Sequence, residues 1–270
     1  MPARAPATTK PATVTARKPV RVRPVPAVTR SVAILRMLGD AGRPMNMKAI
    51  ADALGLVPST ALHILRVLVA EGLVRVDPES KRYELGAGML SLARSVLATT
   101  SFAQLSQPGL DRIAARGVTA MLVEITPRHD IVVLGVSRPN QPFRLHTEVG
   151  SQFAAWVSAT GRLIAAHGGE TGAALKARFK AITWDQAPTF DAWKKDVEQA
   201  RKRGWAVDRD HFMAGIAVVA VPLLRPDGRL THTLAAAGLS SQLTANVVNE
   251  LVEELRVEAA QLNELLLMKY

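Results

Sequence analysis

The chain has 270 residues, of which 48% are hydrophobic, and its formal net charge is +11. The lack of cysteine excludes disulfides, thiolate metal sites and a cysteine nucleophile, and it fits a reducing cytoplasm, where we expect the protein to work. No apolar run approaches the roughly 20 residues of a membrane helix, and none follows the basic N-terminus, so we expect neither a membrane anchor nor a signal peptide.

Residues 1–25 are predicted to form a disordered basic tail. The first 30 residues hold seven basic and no acidic side chains, so they carry most of the net charge. Their Pro, Ala and Thr residues lack the apolar periodicity of a folded segment. Such a tail suits DNA phosphates, because neutralising them releases counterions. A solvated extension without any partner fits the composition equally well.

Residues 26–87 are predicted to form three helices and a short β-hairpin. Thr29 is the predicted cap of the first helix and Asn46 that of the second. Gly55 provides the backbone freedom for a tight turn. Pro58 suits the first turn of the third helix, where its missing amide proton would be unpaired anyway. The hairpin begins with two valines that alternate with polar residues, and Lys81 is predicted to start its return strand.

The third helix has two distinct sides at 100° per residue. Its apolar side, which we expect to pack on the other two helices, carries Ala61, Leu62, Leu65, Leu68 and Val69. Its other side is small and polar enough to enter a DNA groove about 12 Å wide. The predicted DNA-binding residues, including basic ones on the hairpin, are Arg30, Ser59, Thr60, His63, Arg66, Arg75, Lys81 and Arg82. A three-helix bundle with a solvated face is the alternative.

Residues 88–270 are predicted to form a linker helix and a larger α+β domain. One helix is expected over 86–105, after which the apolar period changes to that of strands. "TAMLVEI" and "DIVVLGV" predict a hairpin, and the further strands are "FRLHTEV", "GWAVD", "IAVVAVPLL" and "RLTHTLAAAG". Helices are expected over 155–167, Phe190–Arg203 and 245 to about 269. Because hairpins join consecutive strands, the sheet should be mainly antiparallel with covering helices.

Six segments together resemble the IclR family of bacterial transcriptional regulators. "TRSVAILRML", "IADALGLVPSTALHILRVLVAEGLV" and "YELGAGMLSLA" are similar to its winged helix-turn-helix domain and linker helix. "VGSQFAAWVSATGRLIAA", "RKRGWAVDRDHFMAGIAVVAVPL" and "PDGRL" are similar to its effector-binding domain. The resemblance implies a homodimer or tetramer that binds pseudo-palindromic double-stranded operator DNA and responds to a small-molecule effector.

The chain departs from the family pattern in its third helix. Pro58 stands before the Ser-Thr pair, where the family usually has a basic residue, and His63 stands where an arginine is common. We therefore expect a different base preference and less fixed positive charge on this helix. The positively charged tail would then contribute more to DNA affinity.

The expected effector pocket also departs from the family pattern. Ala235 and Ala237 replace common serines, Val218 replaces a frequent cysteine, and Trp156 occupies the loop before Ser158. These changes predict a flat or apolar metabolite, such as an aromatic or apolar carboxylate. A repacked core is the alternative. The predicted effector-binding residues are Gly150, Ser151, Trp156, Ser158, Ala159, Thr160, Gly161, Asp208, Val218, Ala235 and Ala237.

Two other classes of protein remain open at this stage. No G-x-S-x-G, Walker loop, paired catalytic carboxylate or HxxxH is present, so we expect no enzyme, cofactor or metal site. His211 follows Asp208 and Asp210, a grouping that suggests a metal site. A loop contact with the effector is a better interpretation, and a plain surface turn is better than either. A DNA-packaging protein that acts through its tail alone is the third class. It would give no discrete footprint on DNA.

Overall fold

The computed structural model describes residues 25–99, 101–126, 130–138 and 147–267. The basic tail, most of the predicted strand "FRLHTEV", His129, His146 and the last three residues therefore lie outside the described residues. The described chain divides into two compact units, one ending at Ser95 and the other beginning at Val96. Within it, no single helix is long and apolar enough to cross a membrane.

Up to residue 87, the N-terminal unit consists of three helices and a small antiparallel sheet. Its elements are α1 (Pro26–Ala41), β1 (Met45–Asn46), α2 (Met47–Ala53), α3 (Pro58–Ala70), β2 (Val74–Val76) and β3 (Arg82–Leu85). The strand order is β1-β3-β2, so the predicted hairpin gains a third, two-residue strand. Apolar side chains of all three helices and of β2 form one core, made of Ile34, Leu38, Ile50, Leu65, Leu68 and Val74.

Of the predictions made for single residues of this unit, three are confirmed and two are wrong. The Asn46 side chain accepts a hydrogen bond from the Ala49 amide at 2.8 Å, Gly55 has a φ of +60°, and Pro58 is the first residue of α3. Thr29 is not a cap, because α1 begins at Pro26 and the Thr29 hydroxyl donates to the carbonyl of Val25, the residue before the helix. Lys81 has a φ of +53° and belongs to the turn, so β3 begins one residue later.

The predicted linker helix is two helices, α4 (Gly88–Thr99) and α5 (Ser101–Ala114). The prediction of one helix over 86–105 is therefore wrong at both ends. Helical structure begins two residues later and continues nine residues further. Pro108 lies inside α5. Its ring removes one hydrogen-bond donor from the helix, yet the helix continues past it.

A six-stranded antiparallel sheet organises the C-terminal unit, as predicted. The order is β6-β5-β4-β9-β8-β7, and every neighbouring pair is antiparallel. The remaining elements are β4 (Thr119–Ile125), β5 (Asp130–Val136), β6 (Gln152–Ala154), α6 (Ser158–His167), α7 (Gly172–Lys180), α8 (Phe190–Arg203), β7 (Ala206–Arg209), β8 (Ile216–Leu224), β9 (Leu230–Leu239) and α9 (Ala245–Leu267). The helix predicted over 155–167 begins three residues later than expected.

Helices cover both faces of this sheet. Met121 and Val123 of β4 belong to one core with residues of α6, α7 and α8. Ala120 and Leu122 of the same strand belong to a second core with residues of α5 and α9. This division follows from the strand period, because successive side chains point to opposite faces. The result is a three-layer unit with two separate cores.

Candidate DNA-reading helix and effector cavity

The helix pair α2 and α3 has the geometry of a helix-turn-helix. The two helices are bent by 116° at the short turn between them. The angle between the two helices of a helix-turn-helix is usually about 90–120°. Val57, the residue before α3, supplies no side-chain cap. The first amides of α3 can therefore donate to an anion, such as a DNA phosphate.

The two sides of α3 are placed as the periodicity predicts. Ala61, Leu65 and Leu68 are buried against the other helices. The opposite side is open to solvent along the helix: Ser59, His63, Arg66 and Ala70 are exposed there, and Thr60 is half-buried. Val67 also lies there and is 60% exposed, which sequence reasoning missed. An exposed valine beside polar side chains can contact a thymine methyl group.

The hairpin presents basic side chains on a turn held by one carboxylate. Asp77 accepts hydrogen bonds from the Ser80 amide at 2.6 Å and the Ser80 hydroxyl at 2.8 Å. The Ser80 amide hydrogen bond, followed by that of its hydroxyl, lowers the pKa of the Asp77 carboxyl. Lys81 and Arg82 are exposed at this turn, whereas the Arg75 guanidinium donates to Glu84 at 2.8 Å. Arg30 is exposed on α1.

An apolar cavity lies in the C-terminal unit, against the face of the sheet that packs on α6. It opens to solvent on one side. Strands β4, β5, β8 and β9 line it together with the start of α6 and the loop before β8. The apolar lining residues are Met121, Val123, Ile131, Val133, Phe153, Val157, Phe212, Met213, Ile216, Val218, Ala235 and Ala237. Only three lining residues are polar, namely Thr147, Ser158 and Thr160.

Ser158 is the most unusual polar residue of this cavity. Its hydroxyl is buried and has no hydrogen-bond partner among the described residues. Its φ is +58°, a left-handed conformation that costs a residue with a side chain about 1–2 kcal/mol. Backbone strain and an unpaired buried donor both persist mainly where function requires them. The Thr160 hydroxyl, by contrast, is 3.0 Å from that of Thr233.

Five of the predicted effector residues line the cavity, and six do not. The five are Ser158, Thr160, Val218, Ala235 and Ala237. Gly150, Ser151, Trp156, Ala159, Gly161 and Asp208 lie outside its lining. Sequence reasoning missed the residues of β4 and β5. It expected the segment 208–215 to bound the site, but within that segment it named only Asp208 and not Phe212 or Met213, which line the cavity.

Trp156 does not supply the expected apolar wall. It is buried in the core, and the Arg178 guanidinium lies 5.5 Å from the centre of its ring. Phe153 and Phe212 provide the aromatic surface of the cavity instead. Gly161 has a packing reason, because a Cβ there would overlap the carbonyl oxygen of Trp156.

Asp208 is part of a buried ion pair. Its carboxylate accepts from the fully buried Arg162 guanidinium at 2.6 Å, and His211 Nδ1 lies 3.0 Å from the same guanidinium. The suggestion of a metal at these residues is therefore replaced by a hydrogen-bonded network. Across the described residues, no group of three or more His, Cys, Asp or Glu is arranged to hold a metal ion.

Comparison with known proteins agrees with both units. The IclR helix-turn-helix domain matches residues 27–78, and the bacterial transcriptional regulator IclR C-terminal domain matches residues 94–264. The chain belongs to the IclR family of bacterial transcriptional regulators. A glycerol operon regulatory protein of Streptomyces griseus is 31% identical over 203 residues, which is 74% of this chain and 80% of that protein. The IclR-type relatives are regulators rather than enzymes.

Other relatives of this IclR-family chain extend the comparison. The transcriptional repressor AllR of Escherichia coli K12 is 23% identical over 84% of this chain and 85% of its own length. An IclR transcriptional regulator from Alicyclobacillus acidocaldarius has a TM-score of 0.77 at 25% identity, over 90% of this chain and 99% of that one. An IclR homologue from Microbacterium hydrocarbonoxydans, complexed with 4-hydroxybenzoate, has a TM-score of 0.71 at 18% identity, over 88% and 98%.

Proposed function

We propose that this regulator changes its affinity for operator DNA when an aromatic or apolar carboxylate binds in the effector cavity. The observation that carries the proposal is the Ser158 hydroxyl, which is buried and unpaired among the described residues and belongs to a residue of a mostly apolar lining. A few oriented polar groups in an apolar cavity are the usual composition of a metabolite site.

The lining favours a carboxylate bound at one end and an apolar group at the other. Ser158 is the first residue of α6, so a carboxylate there would receive its hydroxyl and the first amides of the helix. No charged side chain lines the cavity within the described residues, so helix amides and hydroxyls would hold the anion. Phe153 and Phe212 would contact a ring. The 4-hydroxybenzoate bound by the Microbacterium homologue is a molecule of this class.

A thermal-shift screen of aromatic and aliphatic carboxylates tests the ligand class. A ligand at 100 times its dissociation constant stabilises the folded state by about 2.7 kcal/mol, which raises the melting temperature measurably. Ser158→Ala should reduce the shift, whereas Ser106→Ala should not, because Ser106 is a buried serine that bonds to Ala103 elsewhere. If glyoxylate or another small hydroxylated acid is the best ligand, the argument from Ala235, Ala237 and Val218 fails.

For DNA, we propose that α3 reads bases while the hairpin and tail contact phosphates. Arg66→Ala and Ser59→Ala should then weaken operator binding more than binding to random DNA. Deletion of residues 2–25 should weaken both and flatten the salt dependence. An unchanged salt slope would show that the tail is not a DNA arm. Footprinting separates this function from DNA packaging, which would protect no discrete site.

We also propose that the protein acts as a homodimer or tetramer. Leu90 and Leu92 of α4 are 72% and 58% exposed, so this helix carries apolar side chains that a second copy could cover. A two-fold dimer would place two α3 helices on half-sites separated by about one helical turn of DNA or a multiple of it. Sedimentation that shows only monomer at micromolar concentration would contradict this assembly.

A further inference from the structure

A single ion pair connects two walls of the effector cavity. Arg162 lies one helical turn after Ser158 on α6, and its side chain is fully buried. Its Nη1 donates to the Ser158 carbonyl at 3.1 Å and to Asp208 Oδ1 at 2.6 Å. The guanidinium therefore holds the backbone of Ser158, a residue that lines the cavity, although Arg162 itself does not line it.

The other oxygen of the same carboxylate holds the second wall. Asp208 Oδ2 accepts a hydrogen bond from the Phe212 amide at 3.1 Å. Phe212, Met213 and Ile216 all line the cavity. Asp208 is only 1% exposed and, like Arg162, does not line the cavity. The loop that carries the apolar wall is thus tied through one carboxylate to the first turn of α6.

One other contact of this loop reaches α6, because His211 Nδ1 lies 3.0 Å from Arg162 Nη2. Its remaining contacts are internal or face away from α6. The Asp210 side chain accepts from the Gly215 amide at 2.9 Å, and both residues have positive φ values. On its outer side, the Ala214 amide donates to Asp185 at 3.0 Å. These contacts shape the loop, but the Asp208 carboxylate is what links the Phe212 amide to Arg162.

We propose that Arg162 and Asp208 are positioning residues of the effector cavity, which set ligand affinity by holding Ser158 and Phe212 in place. The inference rests on the proposed function of the cavity. A planar guanidinium suits this role, because it reaches several acceptors in a fixed fork, which a lysine cannot do. Besides Ser158 and Asp208, Arg162 reaches Asp196 of α8 at 3.3 Å. Stability alone does not explain the pair, since buried ion pairs are often replaceable by apolar residues without loss of stability.

The test uses a double substitution that removes the charges together. Arg162→Met with Asp208→Leu fills the space but leaves the Phe212 amide and the Ser158 carbonyl without these partners. The matched control is Arg112→Met with Glu258→Leu, a pair with one buried carboxylate between α5 and α9, on the other side of the sheet. Each protein is examined by hydrogen exchange of residues 209–216 and by calorimetric titration with benzoate and 4-hydroxybenzoate.

In the double variant, we expect faster exchange in residues 209–216 and dissociation constants for the two carboxylates raised by about tenfold. An effect of this size is typical of residues that share hydrogen-bond partners. The control should change neither. Unchanged exchange of the loop would overturn the proposal, and so would faster exchange with unchanged affinity. If the double variant fails to fold, Arg162→Lys is measured in the same way, and unchanged loop exchange and affinity there would also overturn it.

The two readouts separate this inference from the proposed function. If the wild-type protein binds neither carboxylate, the proposed ligand class is wrong. Loop exchange, which needs no ligand, then decides whether the ion pair holds the cavity wall. Both proposals stand if the wild-type protein binds both carboxylates and only the double variant of Arg162 and Asp208 shows weakened binding together with faster exchange of residues 209–216.

Discussion

Replacing Ser158 by glycine should make the protein more stable and less responsive to its ligand. Ser158 has a φ of +58° and a buried hydroxyl without a partner among the described residues. Glycine adopts positive φ without a steric penalty and has no hydroxyl to desolvate. Both unfavourable features of the free protein would disappear, together with the group that we propose as the ligand's donor.

The expected gain follows from three contributions to the free energy of unfolding. Relief of the left-handed conformation contributes about 1–2 kcal/mol. Removal of an unpaired buried hydroxyl contributes about 1–3 kcal/mol. The greater freedom of glycine in the unfolded chain costs about 0.5–1 kcal/mol. The net gain of about 1–4 kcal/mol would raise the melting temperature of a unit of this size by roughly 2–16 °C. Ser158→Ala keeps the strained backbone, so it should gain less.

Thermal unfolding with and without 4-hydroxybenzoate measures both effects. We expect the melting temperature of Ser158→Gly to rise in the free protein and the ligand-induced shift to shrink. A lower melting temperature for the glycine variant would refute the reasoning, since Ser158 would then be neither strained nor unsatisfied before ligand binds. A higher melting temperature with an undiminished ligand-induced shift would support the argument from strain but would show that Ser158 does not bind the ligand.

Two further predictions concern stability alone. Gly161→Ala should lower the free energy of unfolding by about 1–3 kcal/mol, because its Cβ would overlap the Trp156 carbonyl oxygen; in Gly39→Ala, where the new Cβ meets only Leu85 at 3.6 Å, denaturation should show no such loss. Burial, followed by the charge of Arg225, lowers the pKa of His232 to about 4. Between pH 6.5 and about 4 the unfolded chain therefore binds a proton that the folded chain does not. The free energy of unfolding should therefore decrease by up to about 3 kcal/mol as the pH is lowered through this range. His232→Gln should flatten this dependence, and an equally steep pH profile in that variant would contradict the assignment.

Strong periodic signals predict much of the fold from sequence. The runs 119–125, 130–136 and 216–224 become β4, β5 and β8 with the expected bounds, because long apolar strands bounded by turns are distinctive. The short strands β1 and β6 escape prediction, since two or three residues show no period. Helix α7 is also missed, and its only buried side chain is Leu175, which leaves almost no apolar stripe to detect.

The cavity was predictable in its location but not in its full lining. Ser158 and Thr160 follow from the motif, yet sequence proximity wrongly suggested that Trp156 lies beside them. The backbone turns sharply between Trp156 and Thr160, and the indole packs with Arg178 instead. The segment 208–215 was expected at the site, but it is a loop without periodicity, so nothing in the sequence singled out Phe212 and Met213 as lining residues. The Arg162–Asp208 pair joins residues 46 positions apart and likewise leaves no local signal.

The most direct test of the account is the operator affinity of the full-length protein with and without a carboxylate that raises its melting temperature. Operator fragments are selected from random duplex DNA, and binding is measured at fixed salt. We predict that the ligand changes the operator dissociation constant of the wild-type protein by about 5- to 150-fold, the usual range of allosteric coupling, and that of Ser158→Gly far less. An unchanged operator affinity in the wild-type protein at saturating ligand would contradict the account.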